Sequence, residues 1–454
     1  MKSTITLLLF MISMALYSQT EVTGNQSGTW QTNGSPYLVI GDITVPTGET
    51  LSIEPGVQVI FQGHYQFKVK GLLMAQGTET DSIVFTCQNT STGWGGIRID
   101  GNMTSSFQYC RFEHGKTEGD YPDVHGGAVA LLNADASFEH CVFKNNTADT
   151  GEDGMGGAIY ALNAGSQTYF NDCQFISNYT FGEGGAIKFS GGNGIQMTRC
   201  EFIGNHCKYG GGAISCYSVA QIKMSFCLFA DNYTLYSAGG AVQTLGMDNN
   251  LVFENCTFYG NTANNGDGGA VSLAYASANF VNSIVYENDG AYSDNVYLDI
   301  AGFAEINYCN MPMPDGATGS NNINSNPLFV DPAGYDFHLQ ENSPCIDAGT
   351  DIGYDFLGNA PDMGCFEFDP ATSINAEIDP NSIKIFPVPA KDHLTLQSPL
   401  SLSEIILTDA SGKTIRSFKP DCHSIPLENI KTGAYFLKIK TEKGVIIKRF
   451  VVLK

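Results

Sequence analysis

Gly184-Gly-Ala-Ile-Lys-Phe-Ser-Gly-Gly-Asn-Gly-Ile-Gln-Met-Thr-Arg-Cys200-Glu-Phe-Ile-Gly-Asn205 is followed, after a short break, by Gly211-Gly-Ala-Ile-Ser-Cys-Tyr-Ser-Val-Ala-Gln-Ile-Lys-Met-Ser-Phe-Cys227-Leu-Phe-Ala-Asp-Asn232. The two copies share Gly-Gly-Ala-Ile, then about a dozen residues, then Cys-x-Phe-x-x-Asn. Working outward, the first word recurs six times, ending at Ala128, Ala158, Ala186, Ala213, Ala241 and Ala270. The second recurs at Cys141, Cys173, Cys200, Cys227 and Cys256, each with Phe two residues on and Asn five residues on. A fixed period in this range is the signature of stacked repeats.

After each Gly-Gly-Ala the residues alternate. Ile187/Phe189, Ile214/Cys216 and Val242/Thr244 form one set, and Lys188, Ser215, Gln243 and Ser272 belong to the other. Period-two alternation reads as a strand with one buried face. In the second half, apolar positions fall three before Cys, at Cys and two after. A step of three breaks strand parity, so a corner must lie there. One such repeat cannot bury its apolar face alone. The expected fold is all-β: a coil of parallel strands with about ten rungs, each adding ~4.8 Å. Like residues then stack, Asn over Asn and Phe over Phe. The ladder Asn is expected to take left-handed backbone at a corner and to exchange amide hydrogen bonds with its neighbours. Gly-Gly permits a corner that a β-carbon would obstruct, and the ladder Cys serves as a small buried hydrophobe.

The flanks complete the organisation. Residues 1–18 have a short positive start and an apolar stretch of about ten, as a signal peptide does. No other apolar run is long enough for a membrane span. Residues 19–370 are assigned to the coil, with 21–36 as an N-terminal cap and 311–370 as a closing segment. A linker follows over 371–382. Residues 383–454 carry alternating strands at spacings of about ten residues with Gly turns, which predicts a small antiparallel β-sandwich. Cys345 and Cys365 flank a Gly- and Asp-rich loop and are the best disulfide candidates; the ladder cysteines are expected to be reduced, because parallel-stacked side chains point the same way.

Residues 21–373 hold 10 Lys+Arg against 38 Asp+Glu, and 374–454 hold 12 against 8. An acidic rod repels phosphate backbones, which argues against nucleic-acid binding. Catalysis on acidic polysaccharide would need a base to abstract a proton and usually Ca²⁺. Lys188, Arg199 and Lys223 fall on neighbouring rungs and are the weak candidates for the base. Glu152, Asp153, Glu183 and Asp267 sit in the loops before Gly-Gly-Ala and are weak candidates for Ca²⁺. Scattered lysines and acidic loop tips on such a coil are ordinarily solvated surface.

Two resemblances follow from quoted residues. Phe386-Pro-Val-Pro-Ala-Lys-Asp-His-Leu394, the Asp409…Gly412-Lys413 turn, Gly433-Ala-Tyr-Phe-Leu-Lys438 and the basic, apolar end resemble the C-terminal sorting domain of the type IX secretion system of Bacteroidetes-type bacteria. Val388 stands where that family usually has Asn. The resemblance implies a partner, the type IX machinery acting on residues 383–454, and a secreted or outer-membrane-attached product. The repeat region resembles right-handed parallel β-helix (pectin-lyase-like) proteins, and its paired words are similar to the repeats of chlamydial polymorphic outer-membrane proteins, which are adhesins. These resemblances imply a non-catalytic rod binding glycan or a host surface. The alternative is a polysaccharide lyase or glycoside hydrolase on a rung face.

Overall fold

The structure is a computed structural model that describes residues 19–149, 154–247, 249–291, 293, 295–369, 383–388, 390–398, 401–409, 414–419, 424–428, 430–431, 433–441 and 444–452. The expected signal peptide (1–18) and the whole of the expected linker (371–382) lie outside the described residues. The chain divides into one unit up to Glu367 and another from Phe368.

The first unit is a parallel β-solenoid of about ten turns. The repeat opening at Gly184 shows how a turn is built. Its four strands are Ile187–Ser190, Ile195–Thr198, Glu201–Ile203 and His206–Cys207. They pair in register with Ile214–Tyr217, Ile222–Ser225, Leu228–Ala230 and Tyr233–Thr234 of the next turn. The parity break falls between the second and third strands. There Arg199 has φ 50°, and Cys200 turns back into the core. The same left-handed residue precedes the ladder cysteine at His140, Asp172, Phe226 and Asn255.

The third corner departs from expectation. The left-handed residue is the one before the ladder Asn (Asn145, Ser177, Gly204, Asp231 and Gly260), not the Asn itself. The Asn is wholly buried, and its amide is used along the column. Asn178 donates both its backbone N–H and its Nδ2 to Oδ1 of Asn205, at 3.0 and 2.9 Å, and its Nδ2 also reaches the Phe143 carbonyl at 2.9 Å. Asn205 repeats this on Asn232 and Phe175, and Asn232 on Asn261 and Phe202. The amide thus satisfies backbone groups that no strand partner serves at the corner.

Inside the coil, Phe143, Phe175, Phe202, Phe229 and Phe258 stack with ring centroids 4.8, 4.7, 4.8 and 4.6 Å apart. This is the rung spacing. Each added turn therefore buries a whole ring between two others, the main apolar gain per repeat.

At the start of the coil, the stretch expected as a cap (21–36) itself contributes strands. Thr20–Asn25 pairs parallel with Tyr37–Val45, and Gly28–Trp30 with Thr50–Ile53, so this stretch already forms coil strands. Its polar alternation hides that role, because only Val22 and Trp30 point inward. Trp30 stacks on Tyr37 at 4.6 Å.

The closing segment does more than cover the last turn. Residues 345–365 run along the corner between the second and third strands. Asn282 exchanges hydrogen bonds with Thr350, Asn255 donates to the Asp362 carbonyl at 3.1 Å, and Cys365 N–H donates to Thr257 Oγ1 at 3.0 Å. The expected Cys345–Cys365 disulfide is corrected here, since both are buried free thiols. Cys345 Sγ accepts from Asn310 Nδ2, whereas Cys365 packs beside Thr257. Burial pushes Cys345 up to about 11 and Cys365 up to about 12, which suppresses the thiolate that disulfide formation needs. In the purified protein, alkylation of Cys345 and Cys365 is therefore expected only after denaturation and without prior reduction. Peptide mass mapping that instead finds the two peptides cross-linked would refute this assignment.

In the second unit, Lys384–Phe386, His393–Gln397 and Ser424–Pro426 form one antiparallel sheet. Leu402–Asp409, Thr414–Phe418, Gly433–Thr441 and Gly444–Val452 form another. Leu394 and Leu396 of the first share a core with Ile405, Leu407, Leu437, Ile439 and Phe450 of the second.

Candidate binding surface

The three candidate bases do not meet. Lys188 lies in the first strand of its turn, Lys223 in the second strand of the next, and Arg199 at the corner after the second strand. Each has its own carboxylate. Lys188 Nζ donates to Glu183 and, at 3.1 Å, to Ser215 Oγ, which donates to the same Glu183 oxygen at 3.0 Å. Arg199 forms a two-pronged pair with Asp172 at 2.7 and 2.9 Å. Lys223 is 2.9 Å from Glu254, whose carboxylate also accepts from Tyr354 at 2.6 Å.

The hydrogen bonds that Arg199 donates to Asp172 raise its guanidinium above the ordinary range. Burial alone would lower Lys223, but Glu254 and Tyr354 more than reverse it. A general base needs the opposite shift.

Lys188 is 3% exposed, and Ser215, Gln243 and Ser272 are also buried. The expected solvent face of the first strand is therefore covered. In three turns, residues at or shortly before a Gly-Gly-Ala fold over it. Gly126 accepts from Arg98, Glu183 from Lys188, and Ser237 from Gln243. Of the acidic candidates, Glu183 is turned onto Lys188. Asp267 accepts the Gly239 N–H at its backbone carbonyl. Glu152 and Asp153 lie outside the described residues. Among the described residues no three His, Cys, Asp or Glu side chains converge as a metal site.

The structure points to a different surface. The short fourth strands bring Tyr179, His206 and Tyr233 into register on successive turns. Their rings stack at 4.8 and 4.7 Å. Burial pushes His206 below the usual imidazole range. These rings pack mainly against one another. Beside them, the loops hold Phe181, Lys208, Tyr209 and Tyr236. Phe181 meets Tyr209 edge-on at 6.1 Å, and Tyr209 is tilted 38° from Tyr236 at 6.2 Å. Tyr209 is 37% exposed and Tyr236 59%. Lys208 Nζ lies 3.8 Å from the Phe181 centroid and 5.2 and 5.8 Å from those of Tyr209 and Tyr236. The rings are tilted rather than stacked flat, so part of each face stays open to solvent. Two exposed tyrosines on successive turns, beside the half-buried Phe181 of the turn before, mark an interaction surface. Aligning the repeats on the ladder Asn would have found this strip. It escaped sequence reading because the letters differ from rung to rung.

Comparison with known proteins agrees with both units. Residues 384–453 match the secretion system C-terminal sorting domain. Residues 140–162 and 199–217 match the Chlamydia polymorphic membrane protein repeat. The sorting domain implies export by the type IX machinery, so the chain is a secreted or cell-surface protein. No helix among the described residues is long and apolar enough to cross a membrane. Among curated proteins, Protein bark beetle of Drosophila melanogaster is 42% identical over 60 residues, which is 13% of this chain and 2% of that protein. So short a share of that protein supports no transfer of its role.

Proposed function

We propose that this chain is a surface-displayed rod that binds glycan and serves adhesion without catalysis, held at the outer membrane after export. The observation that carries the reading is the aromatic strip in which Tyr209 and Tyr236 are exposed on adjacent turns beside the half-buried Phe181. Tyrosine rings offer flat apolar area and a hydroxyl at low entropic cost, the combination that sugar faces require. A lyase or hydrolase on a rung face is less well supported, because Lys188, Arg199 and Lys223 lie apart, each against its own carboxylate.

The test is a glycan array probed with the full chain, together with incubation on uronate polymers and Ca²⁺. Retention of glycans without formation of ultraviolet-absorbing unsaturated ends is the expected result. Appearance of those ends would establish a lyase and overturn the reading.

A further inference from the structure

Resting on the glycan-binding reading, we propose that the strip formed by Phe181, Lys208, Tyr209 and Tyr236 takes an uncharged, β-linked pyranose chain lying along the rod.

The choice of an uncharged ligand comes from electrostatics. Lys208 is the cation of the strip, and among the described residues no carboxylate pairs with it. Its ammonium is directed to rings instead, closest to Phe181. Cation–π contact holds the ammonium against the rings, so it extends the apolar platform between Phe181 and Tyr236 rather than reaching outward. Around it, residues 21–373 carry 38 acidic against 10 basic side chains. A polyanion approaching this surface meets like charge within a Debye length of ~8 Å at physiological ionic strength. A neutral chain pays no such penalty.

The choice of a β-linked pyranose chain comes from shape. Equatorially substituted rings present flat C–H faces on both sides, and these fit tilted, half-open aromatic faces. The strip runs over three turns, so its ends are two rung spacings, ~10 Å, apart. It can therefore engage a short linear segment rather than a single branch tip. Tyr179, His206 and Tyr233 form the neighbouring column, in register on the same three turns.

The experiment titrates the full chain with cellohexaose and with a mannuronate hexamer by calorimetry. The wild type is compared with Tyr209→Ala, Tyr236→Ala, their double variant and Lys208→Gln, after thermal unfolding confirms that each is folded. Cellohexaose is expected to bind, and each Tyr→Ala to weaken it about three- to tenfold. Mannuronate should bind neither the wild type nor any variant. Cellohexaose affinity unchanged in the double variant would move the site elsewhere and overturn the inference. Mannuronate binding that is preferred and lost in Lys208→Gln would replace the neutral ligand by an anionic one and leave the wider reading standing. Failure of both probes, and of every glycan on the array, would remove the glycan-binding reading with it.

Discussion

Replacing Asn205 by alanine is expected to lower the unfolding free energy of the solenoid by about 3–5 kcal/mol. The side chain is fully buried and serves four groups at once, one of them Asn232 Oδ1, to which its Nδ2 donates at 3.0 Å. Its Oδ1 accepts the backbone N–H and the Nδ2 of Asn178, and its Nδ2 donates to the Phe175 carbonyl at 2.8 Å. Alanine leaves those donors and that acceptor in a dry column, where each orphaned group costs about 1–3 kcal/mol. Some relaxation is available, because the Asn205 backbone N–H keeps Asn232 Oδ1, so the lower part of the summed range applies. A solenoid turn contacts only its neighbours. The damage should therefore appear first as faster hydrogen exchange at the amides of Asn178 and Tyr179. Asn264→Ala, at the exposed position just after the strand Thr262–Ala263, is the comparison and should cost well under about 1 kcal/mol. A loss below about 1 kcal/mol for Asn205→Ala would mean that the amide column is ornamental and that the stacked rings alone hold the turns together.

The repeated letters made the architecture readable because stacking demands identity where a side chain touches its own copy. Phe202 lies on Phe175 and Phe229, and Asn205 on Asn178 and Asn232, so each position accepts one residue type through successive turns. Positions that touch something else carry no fixed letter and were misread or missed. The left-handed corner before the ladder Asn holds Asn145, Ser177, Gly204, Asp231 or Gly260. Such a residue needs only to tolerate its backbone, so the conformation was credited to the conspicuous Asn instead. Lys188 was placed outward by strand parity, correctly. Its burial depends on a loop from earlier in the same turn, and parity along one strand is blind to that loop. The aromatic strip failed to register for a related reason. Ligand-facing positions answer to a ligand, not to the rung below, so Phe181 and Lys208 occupy equivalent places with unlike side chains.

The second glycine of each Gly-Gly-Ala is expected to be the most intolerant position of the coil. A β-carbon on Gly240 would collide with the Gly269 carbonyl oxygen of the next turn and lie 2.5 Å from the Thr262 amide nitrogen. The obstructing atoms are all backbone, held by the in-register pairs that define the coil, such as Val242 with Val271 and Tyr233 with Thr262. No side chain can swing aside to make room. Gly157, Gly185 and Gly212 meet the same carbonyl of the following turn. Gly240→Ala should therefore cost more than about 4 kcal/mol, the range reserved for a named steric or burial failure. Gly48→Ala separates obstruction from backbone strain. Gly48 has φ 82° with nothing within 4 Å of the added carbon. Its substitution should cost only the left-handed penalty of about 1–2 kcal/mol. Denaturant unfolding of the two variants beside the wild type reads the difference directly. Equal losses would show that the turns can slide apart to admit a methyl group. In that case Gly-Gly-Ala recurs for conformational freedom alone, and the close contact between consecutive turns does not constrain the repeat.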